Sequence, residues 1–594
     1  MDKIKPQNGQ PAKNEVLLKD NGEWLHFRKP YRLIEAKNLD EVLPALREIE
    51  QLTQINNWYA AGFLSYEAAP AFDPALQTRA SARADQFPYL WFGLYPRPHP
   101  VSLPKPGSPA EQLNWLPTID EDSYHAAVEN IKQNIAEGRT YQVNYTMRLQ
   151  TFFRGSPWHF FLRLAQNQNN HAAYLDTGRH VICSASPELF FQLDGNTITC
   201  RPMKGTTPRG RTTTEDREQS EWLRHSTKNR AENVMIVDMI RNDLGRIAEI
   251  GSVCVPRLFE TERYPTLWQM TSTVTAKTSA SLDRIFAALF PCGSITGAPK
   301  VSTLKIIAEL ESTPRKIYTG TVGYISPRRK AKFNVAIRTA WIDRAARKAE
   351  YGVGGGIVWD STSTGEYAEA LLKAQVLVQE PEPFSLLETI LWTPEAGFFL
   401  REKHLARMLD SADYFDMPIA KGNLEMYLER IASGFRTPQR VRLLLDQTGK
   451  LDSESSPFDL LVENRPLKAA LTSEPVNSRN IFLFHKTTRR EIYEAARQGL
   501  EECDDVLLYN EAGELTEFTI GNLVVEWDGR LFTPPIQGGV LPGTFRAHLL
   551  ETGRVVERTI PASQLAHCTK VFRVNSIRRW EEVEMQNHAA AVRI

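Results

Sequence analysis

The sequence lacks any closely spaced pair of cysteines. The spacing of a disulfide framework or of a zinc site is absent, because the six cysteines are scattered along the chain at Cys183, Cys200, Cys254, Cys292, Cys503 and Cys568. A reducing compartment suits such cysteines, and we therefore expect a cytoplasmic protein.

Net charge and long apolar runs are also missing. Lys plus Arg and Asp plus Glu both number 71, so no global field would attract nucleic acid or an anionic membrane. The chain has no uncharged apolar run long enough to span a bilayer, and residues 1–15 have no apolar core like that of a signal peptide. We expect a soluble protein with a flexible tail over residues 1–15.

The chain is too long for one hydrophobic core. Its 594 residues predict at least two domains. The segment QEPEPF at 379–384 is rich in proline and glutamate and is typical of a linker. We predict a first domain over residues 1–378 and a second over 385–594. Residues 14–110 carry no chemical signal and are interpreted as a structural part of the first domain.

Helix and strand signals come in blocks. Residues 121–137 predict an amphipathic helix, and QVNYTMRLQTFF, HVICSASPELFFQL and NTITCRPMKG predict strands rich in aromatic and β-branched residues. Blocks of strands and helices favour an α+β layered domain over a doubly wound parallel fold.

Acidic residues in two predicted helices suggest a cation site. Glu232 interrupts an apolar stripe in the helical stretch 216–247, and GEYAEALLK places Glu366, Glu369 and Lys373 on one helical face. Mg²⁺ prefers oxygen ligands and commonly binds through one or two carboxylates and a substrate anion. The alternative is a solvated acidic pair, which is commoner for such a short motif.

Glycine-rich segments lie between these helices. FPCGSITGAPK and YGVGGGIVWDS would let backbone amides approach an anion, and RPMKGT places Lys204 after a strand in a setting that suits a desolvated nucleophile. A surface lysine beside a turn is the alternative for Lys204.

Together these segments resemble the chorismate-binding enzymes. SASPELF, RPMKGT, RAENVMIVDMIRNDLGR, WQMTSTV, FPCGSITGAPK, GYIS, AIRTA and GVGGGIV occur in family order over residues 120–378. The resemblance implies an α/β sandwich, Mg²⁺ held by Glu232, Glu366 and Glu369, and Glu188 as the general acid for the C4 hydroxyl. It also implies a substrate cradle made of Tyr324, Arg338, Lys373, Gly205, Thr206, Thr296, Gly354, Gly355 and Gly356.

Lys204 indicates which reaction the first domain performs. In the resembling family, enzymes that make 4-amino-4-deoxychorismate carry lysine here, and anthranilate synthases carry alanine. The lysine would attack C2 and displace the C4 hydroxyl, and ammonia at C4 would then expel the lysine. Gln269 in WQMTSTV replaces a histidine of many relatives, which puts anthranilate-type chemistry in doubt. An anthranilate synthase-like first half remains the alternative.

The second domain carries its own set of chemical motifs. Lys486 ends an apolar run, where burial would lower the pKa of its amine and favour an imine. Glu517 lies close to Asn522 in LTEFTIGN, and an acidic partner for a pyridinium nitrogen is a recurring need of pyridoxal phosphate (PLP) enzymes. Arg407 and the backbone near Gly543 and Thr544 are candidates for holding a phosphate.

The order HLAR, HKTTRR, TEFTIGN and LPGTFR resembles the fold-type IV PLP enzymes over residues 385–594, especially those that cleave 4-amino-4-deoxychorismate. The resemblance implies a domain of two α/β subdomains, with Lys486 as Schiff-base lysine and proton shuttle and Glu517 beside the pyridine nitrogen. It places Arg407, Ile520, Gly543 and Thr544 near the phosphate. An amino-acid aminotransferase is the alternative, since such enzymes share these motifs.

We therefore expect an enzyme that makes 4-aminobenzoate for folate, releasing pyruvate in the second half. A pseudoenzyme that senses aromatic metabolites is the alternative from another class, and the presence of all expected carboxylates and both lysines argues against it. The sequence has no recognisable glutamine amidotransferase domain, so we expect a separate glutaminase subunit to supply ammonia. Fold-type IV enzymes usually form dimers, which predicts a homodimer through the PLP domain.

Overall fold

The structure is a computed structural model. It describes residues 10–80, 87–104, 113–166, 171–374, 377, 383–459 and 465–586. The predicted tail up to residue 9 and the predicted linker up to residue 382 lie outside these ranges. The chain folds into two compact units. The first contains the described residues up to Pro208 and those from Ser220 to 377, and the second contains Arg209–Gln219 and the described residues from 383 onward.

The described residues form α-helices of seven to nineteen residues. Their bounds are α1 (Leu39–Asn56), α2 (Glu121–Ala136), α3 (Pro157–Gln166), α4 (Thr213–His225), α5 (Thr227–Gly245), α6 (Leu282–Leu289), α7 (Lys300–Leu310), α8 (Ser363–Ala374), α9 (Arg401–Tyr414), α10 (Lys421–Ala432), α11 (Glu491–Arg497) and α12 (Thr544–Glu551). Short 3₁₀ helices occur at Tyr66–Ala71, Gly293–Ile295, Ile481–Leu483, Ile536–Gly538 and Ala562–His567. Within the described ranges, no helix combines the length and the apolar character needed to cross a membrane.

The strands of the first unit are β1 (Val16–Asp20), β2 (Glu23–Phe27), β3 (Arg32–Ala36), β4 (Tyr59–Leu64), β5 (Leu90–Tyr95), β6 (His99–Val101), β7 (Leu116–Pro117), β8 (Gln142–Phe152), β9 (His171–Asp176), β10 (His180–Ser186), β11 (Leu189–Asp194), β12 (Thr197–Arg201), β13 (Met203–Pro208), β14 (Cys254–Arg263), β15 (Leu267–Lys277), β16 (Gly297–Ala298), β17 (Thr321–Ser326), β18 (Lys330–Val335), β19 (Thr339–Asp343) and β20 (Lys348–Ile357).

The strands of the second unit are β21 (Leu386–Thr393), β22 (Gly397–Phe398), β23 (Gln439–Leu445), β24 (Leu451–Pro457), β25 (Leu467–Leu471), β26 (Asp505–Tyr509), β27 (Leu515–Phe518), β28 (Gly521–Trp527), β29 (Arg530–Thr533), β30 (Val556–Glu557), β31 (Lys570–Asn575) and β32 (Arg579–Met585).

Capping residues explain where the helices of the first unit begin. Asp120 accepts a hydrogen bond from the Ser123 amide at 2.8 Å and begins the predicted helix over 121–137 as α2. Ser226 caps α5 in the same way, so the helical stretch predicted over 216–247 is two helices, α4 and α5. The strands predicted from QVNYTMRLQTFF, HVICSASPELFFQL and NTITCRPMKG are confirmed as β8, β10 with β11, and β12 with β13.

The first unit is a sandwich of two ten-stranded sheets. One runs β16-β8-β20-β19-β10-β9-β1-β2-β6 with β7 beside β8, and the other runs β13-β15-β12-β11-β18-β17-β4-β5-β3 with β14 beside β15. Val16 and Trp341 of the first sheet pack with Phe63 and Val322 of the second in one buried cluster between them. Helices α2, α3 and α8 cover the outer face of the first sheet, and α1, α5 and α6 cover that of the second.

The second unit contains two sheets. A four-stranded sheet, β22-β21-β23-β24, packs its apolar side chains against α9 and α10. In the other sheet, β27-β26-β25-β32-β31-β28 closes on itself through the pairing of β27 with β28, and β29 and β30 extend it. Mixed helix and strand content in both units confirms the predicted α+β class.

The short segment Arg209–Gln219 is an integral part of the second unit. The Tyr414 hydroxyl donates to the Gly210 carbonyl at 2.7 Å, and the Arg209 guanidinium lies over the Tyr414 ring. Nε2 of His485 donates to the Arg211 carbonyl at 3.2 Å. Burial lowers the pKa of His485 to about 4, so this side chain is neutral at physiological pH.

Candidate active sites

Lys204 lies in β13, and its backbone is fixed from two sides. The Lys204 carbonyl accepts from the side-chain amide of Asn233, whose oxygen in turn accepts from Ser272 at 2.6 Å. The next carbonyl, of Gly205, accepts from Gln269 at 2.9 Å. Gly205 has φ +97°, a conformation that favours glycine. The Gln269 that the sequence motif singled out therefore holds the turn beside the lysine.

Burial dominates the electrostatics of the Lys204 amine. Desolvation lowers the pKa of Lys204, because the charged form loses its hydration. Glu232, Glu188 and Glu366 favour the charged form, and Lys373 opposes it. These influences show that the structure brings the predicted acid, the predicted lysines and two predicted metal ligands into one neighbourhood.

The floor of this site is the glycine-rich end of β20. A Cβ carbon on Gly356 would lie 2.7 Å from the Lys204 amine, and one on Gly355 would lie 3.0 Å from a Glu366 oxygen. Strand β19 pairs with β20 only as far as Tyr351, whereas β8 pairs with it to Ile357. Beyond Tyr351, the backbone groups on the side of β20 that faces away from β8 therefore pair with no other described strand. One of them, the Gly354 carbonyl, accepts a hydrogen bond from Lys373 at 2.9 Å.

Glu188 lies at the bend between β10 and β11. Its side chain is 3% exposed and accepts a hydrogen bond from the Ser294 hydroxyl at 2.6 Å. Burial raises the pKa of Glu188 to about 7, against the opposing effects of Ser294 and Lys204. A carboxyl group of this kind is partly protonated at neutral pH and can donate a proton.

The other two predicted metal ligands lie one turn apart on α8. Glu366 accepts from Ser361 at 2.7 Å, and burial together with the charge of Glu369 raises the pKa of Glu366. Glu369 is paired with Lys373 at 2.8 Å. Among the described residues, no three His, Cys, Asp or Glu side chains stand close enough together to hold a metal ion.

Thr206, Thr296 and Arg338 are the remaining residues of the predicted cradle. Thr206 is exposed on β13. Thr296 is fully buried, and its carbonyl accepts from Asn144, the residue paired with Gly356. Arg338 follows β18, and its side chain pairs with no carboxylate in the part of the chain that the structure describes.

Tyr324 is not brought to this site. Its hydroxyl donates to Asp20 at 2.9 Å, and its ring packs against Phe27 between the sheets. The reason is strand alternation, which directs Tyr324 of β17 into the interior of the sandwich. Sequence reasoning missed Tyr318, which lies against β20 instead. A Cβ carbon on Gly352 of this strand would be 2.2 Å from the Tyr318 ring. Its position in KIYTG, just before β17, gave no signal by itself.

A second site lies in the second unit, around Lys486. The Lys486 carbonyl accepts from the Leu387 amide at 2.9 Å, which joins the lysine to β21. Desolvation, with Arg407 and Arg490 nearby, lowers the pKa of Lys486 to about 8, although Glu388 and Glu517 act in the opposite direction. An amine of this kind has a larger neutral fraction near physiological pH than an ordinary lysine, although the protonated form still predominates.

Glu517 is almost completely buried, with 2% exposure. Tyr493 donates to one of its oxygens and Asn522 to the other, both at 2.9 Å. Burial raises the pKa of Glu517 to about 7. Sequence reasoning missed Tyr493 and also Arg490, which lies over the Tyr493 ring and donates to Thr519. In the sequence, Arg490 and Tyr493 follow Lys486 by four and seven residues. This spacing is the signal that could have found them.

A buried ion pair fixes Arg407, which is predicted to lie near the phosphate. Glu388 receives two hydrogen bonds from Arg407, at 2.8 and 2.6 Å, and one from His404 at 2.6 Å. Burial opposes ionisation, but these partners hold the pKa of Glu388 at about 2. Since Nδ1 of His404 donates to the carboxylate, its Nε2 accepts from Thr544 at 3.2 Å.

Gly543 and Thr544 form the beginning of α12, where backbone amides have no partner within the helix. Arg407 donates to the Pro542 carbonyl at 3.1 Å, so it lies next to this helix end. A Cβ on Gly543 would be 1.8 Å from the Asn522 oxygen, which requires glycine here. Ile520 lies on the turn between β27 and β28, and its side chain is 55% exposed and apolar, so it offers a phosphate only its backbone.

Two protein-family models match the chain. The model of the chorismate binding enzyme family matches residues 13–379. This is more than half of the chain, and the protein therefore belongs to that family, as the sequence motifs predicted. The model of the class IV amino-transferases matches residues 385–584, and this family implies PLP as a cofactor.

Two curated relatives each match less than half of this chain. Aminodeoxychorismate synthase component 1 of Salmonella typhimurium is 39% identical over 271 residues, which are 45% of this chain and 59% of the relative. The Bacillus subtilis protein of the same name is 40% identical over 257 residues, or 43% and 54%. The chain thus spans less than two thirds of the length of these relatives.

Anthranilate synthase component I from Streptococcus pneumoniae shares the fold of the first unit. Its structure covers 63% of this chain and 95% of its own, with a TM-score of 0.51 and 23% identity.

Proposed function

We propose that this protein converts chorismate and ammonia to 4-amino-4-deoxychorismate in its first half and cleaves that intermediate to 4-aminobenzoate and pyruvate in its second half. The observation that carries the proposal is Lys204, a desolvated amine beside the glycine strand and the buried acid Glu188. The names of the relatives over the first half support the same reaction.

In the first half, the neutral Lys204 amine attacks C2 of chorismate. Both ring double bonds shift, from C1=C2 and C5=C6 to C1=C6 and C4=C5, as the C4–O bond breaks. Glu188 donates its proton to the departing hydroxyl, which leaves as water. Ammonia then attacks C4, both double bonds shift back, and the bond between C2 and Lys204 breaks with its electron pair returning to the lysine nitrogen. Arg338 and the outward backbone N–H groups near the glycine-rich end of β20 would donate to the substrate carboxylates.

The carboxylates Glu232, Glu366 and Glu369 offer the oxygen donors that Mg²⁺ prefers. Burial and, to a smaller extent, the charge of Glu369 raise the pKa of Glu366, and a bound cation would stabilise its ionised form. We propose that these three residues hold Mg²⁺ next to the ring carboxylate of the substrate. The described residues do not preform this site, so the substrate carboxylate and a movement of the side chains would complete it. The ion would neutralise the charge of that carboxylate.

In the second half, the residues present suit PLP. Arg407, Gly543 and Thr544 would hold the phosphate, and Glu517 would lie beside the pyridine nitrogen. Bound PLP supplies an electron sink for the carbon that loses its proton. Lys486, with a pKa of about 8, would remove the C4 proton, and the ring would become aromatic as pyruvate leaves.

We further propose that a separate glutaminase subunit supplies ammonia, which the "component 1" in the names of the relatives supports. A cytoplasmic location, a place in folate synthesis and a homodimer through the second half complete the proposal.

The test is incubation of the full chain with chorismate, a magnesium salt, PLP and an ammonium salt, followed by identification of the aromatic product. We expect 4-aminobenzoate and one equivalent of pyruvate. Anthranilate would indicate the alternative chemistry in the first half. Accumulation of 4-amino-4-deoxychorismate with transfer of nitrogen from an amino acid would indicate an aminotransferase in the second.

A further inference from the structure

The side chain of Gln142, the first residue of β8, carries a buried oxygen that takes no part in the hydrogen bonding of the described residues. Its side chain is 1% exposed, and its Oε1 atom is buried without a hydrogen-bond partner in the described part of the chain. A buried acceptor that is left without a hydrogen bond is destabilising. Such a group points to a partner that the resting structure does not supply.

The same side chain lies beside Lys204. Nε2 of Gln142 would be 2.1 Å, and Nζ of Lys204 2.7 Å, from a Cβ carbon placed on Gly356. The two groups are therefore neighbours over this glycine, and a larger residue at position 356 would displace both. Alternation along β8 explains the placement, because Val143 and Tyr145 face the buried cluster under α2 and α8 while Gln142 faces the opposite side.

The Lys204 amine has charged neighbours but no fixed acceptor. Glu188, Glu232, Glu366 and Lys373 influence it electrostatically. In the described residues, however, its Nζ donates no hydrogen bond. An amine on a flexible four-carbon chain needs such an acceptor if its lone pair is to point at one substrate carbon.

We infer that Gln142 is a positioning residue whose carboxamide oxygen accepts an N–H of Lys204 and so directs the lone pair of the amine toward the bound substrate. A carboxamide has a donor end and an acceptor end, and half a turn about its terminal bond exchanges them. In the present orientation the donor end faces the amine. The exchange places Oε1 there and gives the buried acceptor its partner.

This inference rests on the proposed function, because it assigns Gln142 a role through the nucleophile Lys204. The test compares full-length Gln142→Met and Gln142→Glu with the wild type. Gln150→Met is the matched control, since Gln150 lies on the same strand but donates to Glu350 at 3.1 Å. The first readout is kcat and KM for chorismate with an ammonium salt. The second, without chorismate, is the rate of Lys204 acetylation relative to Lys330, measured by peptide mass spectrometry.

We expect Gln142→Met to lower kcat about 10- to 100-fold with KM within about threefold, because orientation and not binding is lost. We expect Gln142→Glu to slow acetylation of Lys204 about tenfold, because a carboxylate would pair with its protonated form. Gln150→Met should match the wild type in both measurements.

An unchanged kcat in Gln142→Met would overturn the inference, and so would a raised KM with kcat intact, which would make Gln142 a substrate ligand. Wild-type acetylation in Gln142→Glu would show that the two groups are not in contact. If Gln142→Met does not fold, the isosteric Gln142→Glu still decides this point. A wild type that makes no aminated product would refute the proposed function, whereas the acetylation result would still test the contact.

Discussion

Lys204 and Lys486 depend on the same physical effect at the scale of single residues. Desolvation lowers the pKa of each amine, and it raises the pKa of the carboxyl groups of Glu188 and Glu517. Both shifts favour the neutral form of a group that would otherwise be charged at pH 7. Each proposed site therefore combines a neutral base or nucleophile with a protonatable acid.

Replacement of Lys204 tests the proposed covalent step. Lys204→Ala should lower formation of 4-amino-4-deoxychorismate about 100-fold or more, because the nucleophile is lost. Chorismate affinity should stay within about threefold of the wild type, since binding would use carboxylate contacts. Product analysis and equilibrium binding measure the two effects. Lys330→Ala, an exposed lysine on β18, is the control, and unchanged turnover in Lys204→Ala would contradict the role.

The pH profile tests Glu188. Its folded pKa of about 7 lies above the ordinary 4.5, so a general acid at this position loses its proton, and kcat/KM should fall, above about pH 7. Glu188→Gln should lower kcat about 100-fold and remove that alkaline limb. Asp194→Asn, on the adjoining β11, should keep the wild-type profile. An unchanged limb in Glu188→Gln would assign it to another group.

The same shift affects stability with a defined sign. A carboxyl group whose pKa is raised by folding stabilises the folded state below its unfolded pKa, and that contribution is lost as pH rises through the folded pKa. The unfolding free energy of the wild type should therefore fall relative to Glu188→Gln between about pH 5 and pH 8. Denaturant unfolding at several pH values measures this difference.

Single helices and strands decide which of these side chains meet. Helix α8 brings Glu366, Glu369 and Lys373 to the glycine end of β20, and α5 brings Glu232 to the back of β13. Helical periodicity made the face of α8 predictable. The sequence did not predict that Glu369 would pair with Lys373, because the same residues suit either an ion pair or a shared cation.

The helix α8 is the place to test the metal site. Glu369→Gln should weaken Mg²⁺ binding and chorismate binding together, each about 10- to 100-fold, because the ion would join enzyme and substrate carboxylates. Titration calorimetry with each ligand in the presence and absence of the other measures the coupling. Glu309→Gln, on α7, is the control. Loss of one affinity without the other would argue against the bridge.

The whole molecule joins two compact units that would act in succession. The second unit includes Arg209–Gln219, which the sequence pattern assigned to the first domain. A fragment that begins near Ser385 lacks this segment and its hydrogen bonds to Tyr414 and His485. Tests of the second half therefore need the full chain.

Replacement of Lys486 separates the two proposed reactions. Lys486→Ala should accumulate 4-amino-4-deoxychorismate and make little 4-aminobenzoate, since the proton acceptor of the second half is lost while Lys204 is untouched. The visible absorbance of the PLP-loaded protein should also change, because the lysine that binds the cofactor is absent. Product analysis and absorbance spectroscopy measure these two effects.

Full-length Lys204→Ala, mixed with Lys486→Ala, is the complementing control. The mixture should restore 4-aminobenzoate if the intermediate diffuses between molecules. A Lys486→Ala protein that makes 4-aminobenzoate at the wild-type rate by itself would show that the second half has another role.

The sequence by itself determined the α+β class, the chorismate-binding family, the helix near residues 121–137 and most of the residues proposed for each site, because motifs and hydrophobic periodicity are local properties of the chain. Only the tertiary structure decided that Tyr324 faces the sandwich interior, that Tyr318 and Gln142 lie at the glycine strand, and that Arg209–Gln219 belongs to the second unit. These outcomes depend on strand register and on contacts between residues distant in sequence, such as Gln142 with Gly356. A one-residue shift of register turns every side chain of a strand to the other face, and no local pattern records it.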